Sequence, residues 1–419
     1  MRFNNQVNFL SNKLIKAYIK KNRFLFQFLI NLSQLFAQLI DLIIIPIAIL
    51  YDRRGINVFE AKTRSFGHHL FEPIAVAVLN MSKNKRDQKK LILLANQEKA
   101  YVKYTNTLLK QKFQIIEKYS FLNIYYWLAR SKYCGLSRST KYKEQLDIFF
   151  EAHFKYRNNL DVFDHSQLQK DKEINDLFKK LNPNNRFVVM WKPKCHRDDK
   201  YSLFSPLRYS SLESCRQLFD KIYDEGGIVF GLLYGNTNFK HHGVIDLRDI
   251  KNQLIREKFV FYLDLNCKFA ICGQNGGTIP LHIFKKPLIV YDVSYPYTIN
   301  FCGTKTIISL KKAHYNNGSP VRIEKLIGLK LKNVNKIIEN KEIIFTPNSS
   351  DDIVELYQEL KSRLENINLG FEKDDYKINL DWGDDIPKNV YNTYGYCQIA
   401  NSCYEKQYDA LSPLNQKKN

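Results

Sequence analysis

No two of the eight cysteines form a CxxC pair, and no His/Cys cluster has zinc-finger spacing, which excludes a small zinc-built scaffold. Single thiols scattered over positions 134 to 403 imply buried free cysteines in a reducing cytosol. The Asn348-Ser349-Ser350 sequon then carries no meaning. No internal repeat is visible. A cleavable leader is not expected either: the first apolar region is too long, lies too far in, and lacks a small-residue cleavage site. Acidic residues are scarce, 42 against 64 basic ones, giving a formal charge of +22. That excess favours anionic partners such as nucleic acid, acidic phospholipid or phosphorylated substrates. Lys, Asn, Ile, Phe and Tyr are abundant together along the whole chain, however. A compositional bias accounts for both the charge and the aromatics, and no nucleic-acid partner is expected.

What is present is a globular chain. A hydrophobic content of 44% is ordinary, and 419 residues suffice for two domains with separate cores. Residues 1–23 are polar and basic. Phe24–Leu50 is a long apolar segment in which Gln27, Asn31, Gln34, Gln38 and Asp41 recur at steps of four and three. On a helix they form one narrow polar stripe. Three placements are open: an interfacial or re-entrant helix on an anionic membrane, a true span, or a helix packed on its own domain. The amide stripe, Asp41 and Pro46 make a poor span, whereas the flanking Lys and Arg suit an interface.

From Val58 the pattern becomes strand, Gly-His turn, and a helical run after Glu72-Pro73. Lys90–Asn96 reads as a buried strand, Lys112–Ile116 as another, and Tyr119–Arg130 as helical. The polar run 155–185, closing on Asn182-Pro183-Asn184-Asn185, marks a domain boundary. Beyond it strands (Phe187–Trp191, Ile228–Leu233, Lys268–Cys272, Leu288–Tyr291, Lys305–Leu310) alternate with helices (Leu212–Glu225, Leu254–Leu265, Ser350–Asn366). This alternation predicts a parallel α/β domain. The tail after Gly370 is polar.

The stretch Lys258–Asp292 holds the strongest signal: helix, short apolar strand, glycine-rich turn, short helix, strand. Gly273, Gly276 and Gly277 allow close approach of backbone N–H groups to an anion, with Gln274 and Asn275 between them. Thr278 is placed to cap the following helix. A phosphate or diphosphate cradle is one reading, and a tight β–α connection that needs glycine is the other.

Several motifs together resemble the glycosyltransferases of bacterial surface-polysaccharide clusters, a two-domain GT-B family distantly like protein fucosyltransferases. They are the strand Phe187–Trp191 with its polar loop, the loop-to-helix entry Arg208–Cys215, Gly226-Gly227 before a strand, Val244–Leu247 before a helix, and Cys267–Gly277. Phe66-Gly67-His68 is similar to the family's Ile-Gly-His turn. The departures are Tyr209 for Asn, Asn275-Gly276-Gly277 for Ser-Gly, and Lys192 or Lys194 where an arginine follows the first strand, unless Arg197 takes that place.

The resemblance implies an α/β, GT-B-like fold of two Rossmann-like domains facing a cleft, behind an N-terminal amphipathic helical segment. Together with the basic, amphipathic N-terminus read above, it divides the chain into a membrane-associating segment (1–54), an acceptor-side domain (55–185), a nucleotide-sugar-binding domain (186–370) and a polar tail (371–419). It further implies a nucleotide-sugar donor and a glycan or lipid-linked acceptor, and the basic, amphipathic N-terminus adds an expected peripheral or monotopic place on the cytoplasmic face of an anionic membrane.

Donor contacts are expected from Arg208, Ser211, Asp246 and Gly273–Thr278, with Lys192, Lys194 and Arg197 near the phosphates. Asp246 has the alternative of a helix-start role. His68 is the expected general base, since an imidazole titrates near neutrality. His241-His242-Gly243 is a rival cluster and reads as a solvated loop. No DxD-like pair ends a plausible strand, because Asp198-Asp199 and Asp351-Asp352 read as loop and helix-cap residues. Neither a metal nor a cofactor is expected.

Overall fold

The structure is a computed structural model that describes residues 42–61, 66–96, 102–120, 122–131, 133–135, 163–194, 209–233, 237–294, 306–321, 342–365 and 398–399. The chain forms two compact units, the second comprising Ser65–Leu70, Val102–Tyr104 and Asp164–Asn419.

The first unit contains a parallel three-stranded sheet in sequential order, β1 (Ile56–Glu60), β2 (Lys90–Leu94) and β3 (Gln114–Ile116). Val58 pairs with Ile92, and Leu94 with Ile116. The central strand β2 is apolar and buried from Leu91 to Leu94, as two-sided burial requires. Helix α1 (residues 42–53) lays Ile44 and Ala48 into a core with Val58, Ile92, Leu94, Leu128 and Cys134. One face of the described end of the apolar segment is thus packed on its own domain, while Leu42 and Ile43 remain 71% and 67% exposed. Among the described residues no helix is long and apolar enough to cross a membrane.

Helix α2 (Phe66–Met81) begins ahead of the expected start, and Pro73 lies inside it. The proline removes one rung of the hydrogen-bond ladder. The helix continues because Leu70, Phe71, Ile74, Ala75 and Val78 are all buried. Phe66-Gly67-His68 is therefore its first turn, in place of the expected glycine turn. After α3 (Tyr104–Leu109), helix α4 (Ile124–Leu128) is shorter than expected because Asn123 caps it, accepting from the Tyr125 N–H at 2.9 Å.

The polar run before residue 185 is not featureless. It contains α5 (Ser166–Gln169) and α6 (Lys172–Leu181), the latter capped by Asp171. Ile174, Leu177, Phe178 and Leu181 form the i, i+3, i+4, i+7 stripe of an amphipathic helix. Asp171 and Asn175 bond Lys258 and Tyr262, so α6 belongs to the second unit and the chain enters that unit before the Asn182–Asn185 turn. Asn182 closes that turn, bonding the carbonyl and the N–H of Arg186 at 2.8 and 2.9 Å.

The second unit is built on a seven-stranded sheet. Its strands are β4 (Phe187–Lys192), β5 (Gly227–Gly231), β6 (Val244–Asp246), β7 (Phe269–Cys272), β8 (Leu288–Val293), β9 (Thr306–Leu310) and, beyond the pair β10 (Lys312–Tyr315) and β11 (Ile343–Thr346), β12 (Gln398–Ile399). The order is β12-β9-β8-β7-β4-β5-β6, and every pairing is parallel. From β4 the chain winds outward through β5 and β6, then returns to β7 and winds the other way. That is a doubly wound Rossmann-like sheet with its reversal between β4 and β7. Helices α7 (Arg216–Asp224), α8 (Gln253–Asn266), α9 (Ile279–Ile283) and α10 (Ser350–Glu365) accompany the sheet. The α/β expectation with Rossmann-like parallel sheets holds for both units.

Candidate functional site

The reversal point brings the end of β4 beside the turn that follows β7. The Gly273 N–H donates to the Lys192 carbonyl at 2.9 Å, carrying the β4–β7 ladder one step beyond Cys272. Asn275 then organises the turn. Its Oδ1 accepts from the Gly277 N–H at 2.7 Å, and its Nδ2 donates to the Lys192 carbonyl at 2.8 Å. Asn275, rather than the expected Thr278, is thus the side chain that caps the helical turn Gly276–Thr278; the Thr278 hydroxyl donates to the Asn275 carbonyl at 3.2 Å. Short side chains with an acceptor oxygen suit that task. Gly276 opens the turn, so its N–H has no acceptor within the helix.

Two of the three glycines have a steric reason to be there. A Cβ at Gly273 would stand 2.1 Å from Ser210 Oγ and 2.5 Å from the Lys194 nitrogen. A Cβ at Gly277 would stand 2.7 Å from Asn275 Oδ1. The turn is therefore pressed against the β4 loop and against its own cap.

Lys192, expected near the phosphates, turns its side chain into the core. It is buried at the end of β4, with its ammonium 2.6 Å from Asp264 Oδ2 on α8 and 3.1 Å from the Gly277 carbonyl. A buried ammonium without a carboxylate would be costly, which is why it turns inward. Burial pushes the Asp264 carboxyl up to about 6, opposed by Lys192. Among the described residues Asp264 Oδ1 has no hydrogen-bond partner. Cys134, Cys215, Cys267 and Cys272 are buried and free, as expected, and burial raises each thiol.

The loop after residue 208 closes the other side. Ser210 N–H donates to the Lys194 carbonyl at 3.0 Å, and the Lys194 N–H donates to Ser210 Oγ at 3.3 Å. Ser211 N–H donates to Asp292 Oδ2 at 2.7 Å. Asp292, at the end of β8, is fully buried and has a positive φ of 57°. Asn348 clasps it: the Asn348 N–H donates to Asp292 Oδ1 at 2.6 Å, and the Asp292 N–H donates to Asn348 Oδ1 at 2.8 Å. The Ser214 hydroxyl donates to the Asn348 carbonyl at 2.8 Å, and the Lys311 ammonium to the Tyr209 carbonyl at 2.7 Å. Burial raises the Asp292 carboxyl and lowers the Lys311 ammonium, each opposed by the other's charge.

Sequence reading missed Asp264, Asp292, Lys311 and Asn348. An acid directly after an apolar strand is the only signal Asp292 gives.

Asp246 stands apart from this cluster. It ends the edge strand β6, and its carboxylate caps Leu247–Asp249 while bonding Arg248 Nε at 2.8 Å and Nη2 at 2.6 Å. The carboxylate makes the helix-start contact that the alternative reading describes, and it is engaged with Arg248.

His241 is likewise no open loop residue. It is stacked on His242 and Phe239, and its Nε2 lies 3.1 Å from Asp220 Oδ1. Asp220, His241 and His242 form a group of metal-ligand type, with donor atoms within 4.8 Å of one another. The Gly243 N–H donates to His241 Nδ1 at 3.1 Å, however, so the ring proton sits on Nε2 and points at Asp220. His241 and Asp220 are thus hydrogen-bonded to each other.

Arg197 and Arg208 lie outside the described residues. His68 is placed in α2, and its side chain is likewise outside them. The structure thus brings together Lys192, Lys194, Ser211 and Gly273–Thr278.

No protein family and no curated protein matches the chain by sequence. Among solved structures the chain is similar to E. coli ADP-heptose lps heptosyltransferase II, at 11% identity and a TM-score of 0.40, over 74% of this chain and 100% of that one. It is also similar to E. coli heptosyltransferase WaaC with ADP-2-deoxy-2-fluoro heptose, at 13% identity and a TM-score of 0.34, over 68% of this chain and 99% of that one.

Proposed function

We propose that the chain is a GT-B-like glycosyltransferase acting at the cytoplasmic face of a membrane, moving a sugar from a nucleotide-sugar donor to a glycan or lipid-linked acceptor in surface polysaccharide synthesis. The observation that carries this reading is the Asn275-capped glycine turn at the sheet reversal between β4 and β7. Parallel α/β sheets take up nucleotides and phosphates at that position. In this reading the Gly276 N–H and the Thr278 end of the turn meet the donor diphosphate, with Lys194, Arg197 and Arg208 supplying positive charge. Gln274, Asn275 and Ser211 shape the surrounding wall.

The acceptor oxygen attacks the anomeric carbon, the bond from that carbon to the diphosphate oxygen breaks, and His68 receives the acceptor proton. Fixed N–H groups and cations stabilise the charge that develops on the leaving diphosphate without a metal.

A second reading is a non-catalytic glycan-assembly subunit with the same fold. It is favoured by Gly273 and Gly277, each of which has a packing reason that needs no ligand.

Thermal-shift titration of the full chain against UDP, GDP, CMP, ADP and dTDP, with and without EDTA, tests the proposal. One nucleotide should raise the melting temperature in both conditions and fail to do so with folded Gly276→Val. No response from folded wild-type protein would favour the subunit.

A further inference from the structure

The described part of the apolar segment, Leu42 to Tyr51, carries no charged side chain and no amide. A helix that is apolar all round needs an apolar neighbour on every side. Among the described residues it has one on a single side, where Ile44 and Ala48 enter the core of the first unit. At about 100° per residue, Leu42, Ile43, Pro46 and Leu50 fall on the opposite side, with Arg53 on the same stripe. All five are exposed, Leu42 and Ile43 most among the apolar four. A surface helix on a soluble domain turns polar residues outward, whereas this one turns apolar residues outward from Leu42 to Leu50.

The stripe ends in positive charge. Arg53 lines an open recess of about 680 Å³ together with Lys83, Arg86 and Lys89, against the acids Asp52 and Asp87. Lys89 is committed to Asp52, so Arg53, Lys83 and Arg86 outnumber the remaining acid three to one. Arg54 and Lys85 are exposed beside it. An apolar helix face continuous with a basic recess is the two-part signal of an interfacial helix: the apolar face enters the acyl boundary and the cations meet phosphates.

We propose that the exposed face of α1 and the recess at its end form the docking surface for an anionic phospholipid bilayer, with a lipid phosphate seated among Arg53, Lys83 and Arg86. This deepens the membrane placement proposed above, yet it is independent of the donor turn. A nucleotide titration can therefore fail while docking holds, and the reverse.

Flotation of the full chain with vesicles tests it, using pure phosphatidylcholine and phosphatidylcholine with phosphatidylglycerol, over a salt series. Wild type should float with the anionic vesicles and detach as salt rises. Arg53→Gln/Lys83→Gln/Arg86→Gln should weaken anionic binding on the order of 100-fold, at about fivefold per cation. Leu42→Ser/Ile43→Ser/Leu50→Ser should weaken binding to both vesicle types by roughly tenfold or more. All six positions are exposed, and unchanged circular dichroism and melting would show that the variants fold. Binding that survives both triple variants, or no vesicle binding by folded wild type, would overturn the proposal. So would an apolar variant that converts a dimer to a monomer while floating normally, since the face would then belong to a second copy.

Discussion

The Lys192 ammonium lies 2.6 Å from the Asp264 carboxylate and 3.1 Å from the Gly277 carbonyl. This links the end of β4 to α8 and, through one carbonyl, to the turn after β7. The arrangement holds the glycine turn from beneath without occupying its outer surface. Removing only Lys192 leaves a buried carboxylate with no countercharge, which costs about 3–5 kcal/mol. Lys192→Met should therefore be strongly destabilising in urea unfolding, and Lys192→Met/Asp264→Leu should recover most of the loss. A single variant within about 1 kcal/mol of wild type would show that the pair does not hold the turn.

The same pair predicts a pH dependence of unusual sign. The Asp264 carboxyl is raised from 3.8 to about 6 in the folded state, so between those values the native protein keeps a proton that the unfolded chain has released. Stability from this group is greatest below the window and falls as pH rises through it, on the order of 3 kcal/mol in total. Urea unfolding at pH 4, 5 and 6.5, with Lys192→Met/Asp264→Leu as the reference lacking both charges, isolates the effect. Wild type should lose stability relative to that reference as pH rises. A flat difference would mean that Asp264 stays ionised throughout.

Much of the frame was legible in the sequence. Lys268 aside, the strands Phe187–Trp191, Lys268–Cys272 and Leu288–Tyr291 are runs of apolar residues, nearly all buried, and alternation with helices is a local property that periodicity reads directly. The glycine turn and its place after β7 followed from the same pattern. Long-range partnerships were not legible. Lys192 looked like a phosphate ligand because it follows a strand, yet Asp264 waits 72 positions away on another element. Asp246 was open to both readings, and its bonds to Arg248 were not legible in the sequence. Helix α6 was passed over because its four apolar residues sit in a run dominated by charge, although their spacing carried the signal.

Gly273 offers a test of close packing. Its missing Cβ would overlap Ser210 Oγ at 2.1 Å and the Lys194 nitrogen at 2.5 Å. The first neighbour is a side-chain tip and the second is backbone, so relief can only be partial. Gly273→Ala should cost about 1–3 kcal/mol or somewhat more, and adding Ser210→Gly should return part of it. Full recovery in the double variant would show that the Lys194 backbone yields freely. A neutral Gly273→Ala would remove the steric account of this glycine.

Asn348 makes the sharpest prediction, because its two ends do different work. Its side-chain oxygen accepts the Asp292 N–H at 2.8 Å, while its amide nitrogen donates to Ser309 Oγ and the Leu310 carbonyl, both at 3.0 Å. Asn348→Ala abandons these buried groups and should cost roughly 2–4 kcal/mol. Asn348→Asp keeps the shape but sets an acceptor against the Leu310 carbonyl and a second carboxylate beside Asp292, whose own carboxyl burial already raises. Two such groups ionise together only at a large cost. Its destabilisation should therefore be severe at pH 8 and much smaller at pH 5, where a proton is retained, whereas the Asn348→Ala deficit should hardly change with pH. Thermal unfolding at the two values separates the cases. Since Asp292 also holds the Ser211 N–H at 2.7 Å, both variants should loosen the loop beside the glycine turn and reduce any stabilisation by nucleotide. An Asn348→Asp protein equally destabilised at both pH values would place the damage in lost packing rather than in paired charge.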